Sequence, residues 1–132
     1  MVYVDHEGFQ NIDTYLKLIK TADYILLHFT DTLGFLKGRT IPTEEVRNAL
    51  KEGVTFDGSS VLTGVNIEDS DMIMKPDMST FTACPYYFYD KSIASFICDI
   101  KRPNQQQFDG DPRDILRKEV DKIRKEGYSN CC

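Results

Sequence analysis

The segment Phe56-Asp57-Gly58-Ser59-Ser60 brings together a carboxylate, two hydroxyls and a glycine. Two chemistries fit it. As a tight turn, Gly58 supplies a positive φ and Asp57 accepts hydrogen bonds from the backbone just ahead. As a site, Gly58 lets the backbone approach a ligand closely, Asp57 presents an acceptor-only carboxylate and Ser60 a hydroxyl, which suits a cation or an ammonium ion. Further on, Glu68, Asp69 and Asp71 add negative charge. They lack the alternating spacing of a calcium loop and are expected to form a solvated acidic face.

Other reactive patterns are missing from the sequence. The histidines, His6 and His28, are too few and too far apart for a triad or a metal cage, and His28 falls in an apolar run that favours a core or rim role. Gly58 and Gly64 are not followed by the Lys of a phosphate loop. Cys84 and Cys98 lie in apolar segments, whereas Cys131 and Cys132 are adjacent at the C-terminus, so no zinc-ligand spacing arises.

Charge excludes a further class. Sixteen Lys and Arg against 21 Asp and Glu leave a net charge of −5, and the densest basic stretch, Arg113 to Lys125, is interleaved with acids as on a solvated helix face. A nucleic-acid partner is not expected. No window offers the ~18 apolar residues of a membrane span, and the N-terminus lacks a basic segment followed by an apolar one, so the expected location is cytoplasmic.

The elements that must carry Asp57 follow from periodicity. Asn11 to Ala22 sets Ile12, Tyr15, Leu16 and Ile19 on one helical stripe. Tyr24 to Thr30 is continuously apolar, as a buried strand is, and Asp31 to Gly34 turns the chain so that Phe35 to Ile41 returns as the second arm of a hairpin. Pro42-Thr43-Glu44-Glu45 opens a helix that runs to Glu52, directs Val46, Ala49 and Leu50 inward and ends at Gly53. Strands are expected near 72–75, 80–84 and 93–100, the last with Ala94, Phe96, Cys98 and Ile100 on one face. Helices and strands do not alternate regularly. An α+β fold, a mixed sheet with a helix packed on one face, is therefore expected rather than a doubly wound parallel sheet.

Arg102 to Gln107 reads as an exposed connection, after which Asp111 as N-cap and Pro112 at the first position start another helix. Ile115, Leu116, Val120 and Ile123 form its stripe and Gly127 supplies its C′ residue. Little chain follows to cover this stripe, and each aliphatic side chain left in water forgoes about 1.5–3 kcal/mol. The helix is expected either to fold back on the sheet or to self-associate.

Six runs in order carry a resemblance to a known family: Phe29-Thr30-Asp31 with Leu33-Gly34; Phe56-Asp57-Gly58-Ser59-Ser60; Ile67-Glu68-Asp69-Ser70-Asp71; Pro76-Asp77 with Ser79-Thr80; Cys98-Asp99; and Asp109-Gly110-Asp111-Pro112-Arg113. Together, from Asn11 to Tyr128, the sequence resembles the amino-terminal part of glutamine synthetase. The resemblance implies a β-grasp (ubiquitin-like) domain over residues 1–105, flanked by an N-terminal and a C-terminal helix. It also implies that residues 106–132 form a linker and the opening helix of a catalytic domain.

The same resemblance implies an activity: ATP phosphorylates the side-chain carboxylate of glutamate and ammonia displaces the phosphate. It further implies a ring oligomer in which the β-grasp domain of one subunit closes the active site of its neighbour. Asp57 matches the aspartate that binds and deprotonates ammonium, and Ser60 a serine of the same loop. The metal-binding glutamates for Mg2+ or Mn2+, the nucleotide contacts and the glutamate-binding arginine would lie beyond Tyr128. No cofactor is therefore expected to bind this chain alone, and the chain is expected to be inactive alone. Asn66 stands where a regulated subset carries Arg, and Cys131-Cys132 where the family approaches its catalytic strand with Gly-Pro-Glu-x-Glu. Three classes of function follow: half of a shared synthetase site, a standalone regulatory or assembly module docking on complete synthetase, and a ubiquitin-like interaction module with other partners.

Overall fold

The computed structural model describes residues 16–17, 19–59, 70–88 and 91–129. Six strands form one mixed sheet: β1 (Tyr24–Thr30), β2 (Leu36–Pro42), β3 (Val54–Asp57), β4 (Asp71–Pro76), β5 (Thr82–Phe88) and β6 (Lys91–Lys101). Helix α1 (Val46–Glu52) follows β2 through a 3-10 turn at Thr43–Glu45, and helix α2 (Pro112–Lys125) closes the described chain.

The strand order is β2-β1-β6-β4-β3, with β5 also paired to β6. Strand β6 is the spine. Its first half runs parallel to β1, with Leu27 opposite Phe96, and antiparallel to β5, with Ala83 opposite Ala94. Its second half pairs antiparallel with β4, Met74 opposite Ile100. The alternation of β6 explains its place: Ala94, Phe96, Cys98 and Ile100 are all buried on one face, where Ile25, Leu27 and Phe29 of β1 and Met72 and Met74 of β4 join them. Val46, Ala49 and Leu50 of α1 complete that core. A tilted ring contact, Phe81 on Phe96 at 5.4 Å between centroids, extends it beneath β5.

Two devices hold α1 against the sheet. Gly53 ends the helix at φ 86° and ψ −177°, a conformation open essentially to glycine alone, and its amide donates to the Ala49 carbonyl at 2.9 Å. Lys75 of β4 then reaches across, donating from Nζ to the carbonyl of Leu50 at 2.8 Å and also to that of Lys51. These are carbonyls that the end of a helix leaves without intrahelical partners.

The α+β mixed sheet is as the sequence predicts, with three differences of detail. Strand β3 was not expected; four residues between Gly53 and the Asp57-Gly58 turn are too few for a period to show, and their pairing with β4 is set by the fold. The expected helix from Thr43 begins as a 3-10 turn and becomes α-helical only at Val46. Strand β5 runs through the aromatic residues to Phe88, with a register irregularity between Cys84 and Phe88. Of the N-terminal helix, Leu16, Lys17 and Ile19 are helical and Leu16 and Ile19 are buried, while Ile12 and Tyr15 lie outside the described residues.

Helix α2 begins at Asp111 and Pro112, as its cap residues dictate, and Gly127 follows it at φ 95°. Only its first turns are tied to the sheet, through Arg113 and Arg117 to Asp77 and Asp99, and its apolar stripe does not pack there. Asp114 is its one buried residue, and Ile115, Leu116 and Ile123 remain 48, 65 and 46% exposed.

Candidate functional site

Asp57 is the last residue of β3, opposite Asp71 at the start of β4. Its side chain is exposed and folds the chain ahead of it: Oδ1 accepts from the Ser59 amide at 2.9 Å and from the Ser59 hydroxyl at 2.7 Å. Gly58, which is buried, donates its amide to the Ser70 carbonyl at 2.7 Å, so the two strand ends stay tied one residue beyond the ladder. Local hydrogen bonding thus fixes where the carboxylate sits. The turn forms through Asp57 Oδ1, as expected, but Gly58 is not among the glycines at positive φ, so the turn does not use the glycine freedom that the sequence suggested; the carboxylate stays at the surface.

The electrostatics follow from the same contacts. The Ser59 hydroxyl, then the Ser59 amide, hold the Asp57 carboxyl below the ordinary aspartate value against an opposing effect of burial, with a smaller lowering contribution from Ser70. Asp57 is an anion at neutral pH, and it can attract a cation or ammonium.

Ser60, its expected companion, lies outside the described residues, as do Gly64, Asn66, Glu68 and Asp69. Asp71 is exposed, as a solvated acid should be. Ser59 was the residue that motif reading passed over. A signal for it exists: Asp-x-Ser recurs at Asp77-Met78-Ser79, where Asp77 Oδ1 again accepts from the Ser79 amide at 2.9 Å and its hydroxyl at 2.7 Å.

The remaining candidates are structural. His28 is half-buried in β1 opposite Gly38, and a Cβ added at Gly38 would stand 3.0 Å from His28 Nδ1. Cys98 is buried in the core and burial pushes its thiol up to about 12, which leaves it unreactive. His6, Cys131 and Cys132 lie outside the described residues, as does the side chain of Cys84. Among the described residues, no group of three or more His, Cys, Asp or Glu side chains is gathered as a metal ion requires, and no helix is long and apolar enough to cross a membrane.

Comparison with known proteins fits this sequence and fold to one family. The model of the glutamine synthetase β-grasp domain matches residues 21–103. The glutamine synthetase of Methanocaldococcus jannaschii is 37% identical over 131 residues, covering 92% of this chain and 29% of that protein. That of Thermus thermophilus is 35% identical over 120 residues, covering 87 and 27%. Among solved structures, Plasmodium falciparum glutamine synthetase superposes with a TM-score of 0.79 at 29% identity over 96% of this chain and 24% of that one. A GmaS/ADP complex shares the fold, with a TM-score of 0.75 at 19% identity over 89% of this chain and 26% of its own. The chain spans little more than a quarter of the length of these curated relatives. With most of its length matched by that domain model, the chain belongs to the glutamine synthetase β-grasp domain family.

Proposed function

We propose that this chain is the β-grasp portion of a glutamine synthetase, lending the loop of Asp57 and Ser60 to an active site that a neighbouring catalytic domain completes. The observation that carries this reading is the exposed, ionised Asp57 carboxylate, held by Ser59 at the end of β3. Ammonium cannot attack an acyl phosphate while its lone pair is protonated, so a carboxylate that first attracts the cation and then takes its proton serves the reaction. The hydrogen bonds from Ser59 favour the first task, because they stabilise the anion. The second is favoured once a docked partner removes water from Asp57 and raises its proton affinity.

ATP and Mg2+ or Mn2+, which supply phosphoryl activation of glutamate when bound, belong on this reading to the catalytic domain. The described residues of this chain do not gather a metal site, and no step through the metal is assigned to them. Residues 106–132 are then the linker and opening helix of that catalytic domain, the partners are synthetase subunits in a ring, and the chain works in the cytoplasm.

The test is complementation. The 132-residue chain is mixed with a separately produced catalytic portion of a relative, and glutamine formation from glutamate, ammonia and ATP is followed. Turnover is expected from the mixture alone, and Asp57→Ala is expected to abolish it. Turnover by this chain alone, or a mixture indifferent to Asp57→Ala, overturns the reading. If the chain instead binds complete synthetase and changes its rate without lending Asp57, the docking module is the better description.

A further inference from the structure

Three of the runs that carry the family resemblance have no part in the Asp57 turn: Asp77 with Ser79-Thr80, Cys98-Asp99 and Asp111-Pro112-Arg113. The fold brings them to one place. Arg113 of α2 donates from Nη2 to Asp77 Oδ2 at 2.6 Å and from Nη1 to Asp99 Oδ1, so each guanidinium nitrogen holds a different carboxylate. Arg117, one turn further along α2, donates to the same Asp99 oxygen at 2.8 Å. Asp77 follows β4, where its Ser79 turn fixes the carboxylate, and Asp99 lies within β6.

We propose that Arg113 is the keystone of an ionic clamp, closed by Asp77, Asp99 and Arg117, that positions α2 on the sheet and lets the helix dock and undock as a unit while the sheet stays folded. The apolar stripe of α2 is not buried there: Ile115, Leu116 and Ile123 are exposed, Val120 is only half-buried, and Asp114 is the one buried residue of the helix. Arg113, Asp77 and Asp99 are only 24, 23 and 17% exposed, and charge-assisted bonds in that setting are stronger and less screened than surface ion pairs. The segment before the helix is anchored separately: Phe108 is buried, and Asp111 Oδ2 accepts from the Ile100 amide at 3.0 Å. Release of the clamp therefore leaves a pivot at Asp111-Pro112 rather than a loose tail.

One chemical feature distinguishes a positioning role from mere surface charge. Arg113 spans two carboxylates with two nitrogens held apart in one rigid plane, a geometry that the single-point ammonium of lysine does not reproduce, whereas Arg117 is within 3 Å of Asp99 only. Hydrogen exchange of backbone amides, followed by NMR on the full 132-residue chain, reads this directly. In Arg113→Lys, α2 amides are expected to exchange at least about tenfold faster while those of β1 and β6 stay as they were. Asp77→Asn with Asp99→Asn is expected to do the same. Arg117→Lys, and Leu116→Glu on the exposed face, are expected to leave α2 close to wild type. The proposal is overturned if Arg113→Lys leaves α2 protection unchanged, if sheet and helix lose protection together, if Arg117→Lys costs as much as Arg113→Lys, or if α2 of the unaltered chain exchanges without protection.

Discussion

Asp111 Oδ2 accepts the backbone amide of Ile100 at 3.0 Å, joining the start of α2 to the core end of the central strand. The same carboxylate caps its own helix, Oδ1 accepting from the Arg113 amide at 3.1 Å, and Gln107 Nε2 donates to Oδ2 at 3.1 Å. Alanine at this position removes the cap and leaves the buried Ile100 donor without a partner. The cap accounts for about 1 kcal/mol and an orphaned buried amide for about 1–3 kcal/mol, so Asp111→Ala is expected to lower stability by about 2–4 kcal/mol. Urea unfolding of the two proteins measures it. A loss under about 0.5 kcal/mol, the usual range for an uninvolved surface change, would show that Asp111 is not the joint.

Gly53 is the most constrained position at the helix–sheet junction. A Cβ there would lie 2.3 Å from Ile73 Cγ2 and 2.8 Å from the Met74 carbonyl oxygen, on a backbone at φ 86°. The carbonyl belongs to a paired strand and cannot swing aside. Backbone strain and overpacking each cost about 1–3 kcal/mol, and Gly53→Ala is expected to lose roughly their sum. Gly34, also at positive φ but with nothing within 4 Å of a built Cβ, provides the comparison. Its alanine variant meets backbone strain alone and is expected to lose less in the same thermal unfolding experiment.

What could be read from the sequence divides along physical lines. The alternation Ala94, Phe96, Cys98, Ile100 declares a half-buried strand because its period needs no knowledge of the partner. The cap of α2 is equally local, since Asp111 and Pro112 act on their own helix. Strand β3 could not be found that way; Val54–Asp57 is a strand because β4 lies beside it. The clamp is hidden for the same reason. Asp77 is 36 residues from Arg113 and Asp99 is 14 from it, and only the pairing of β4 with β6 sets the two carboxylates side by side. At the candidate site, Asp57 was visible as a turn carboxylate, and the share of the turn taken by Ser59 was not.

Asp77 of the clamp and Asp111 at the start of α2 respond to acid in opposite directions. Burial draws the Asp77 carboxyl upward, but hydrogen bonds from Ser79 and Arg113 outweigh it, and the group titrates below the ordinary 3.8. A group depressed in the folded state contributes stability above its unfolded value, and that contribution is lost as pH falls through the folded one. Asp111 is governed by burial, which outweighs the amides of Ile100 and Arg113 and lifts it above 3.8. Its contribution is present below 3.8 and is lost as pH rises through the raised folded value. The stability cost of Asp77→Asn should therefore be largest at neutral pH and shrink on acidification, while that of Asp111→Asn should be smallest at neutral pH and grow. Urea midpoints of the unaltered chain and both variants, taken from neutral pH down through 3.8, give the two trends. Parallel trends would mean that burial or hydrogen bonding dominates both groups alike, contrary to their different partners.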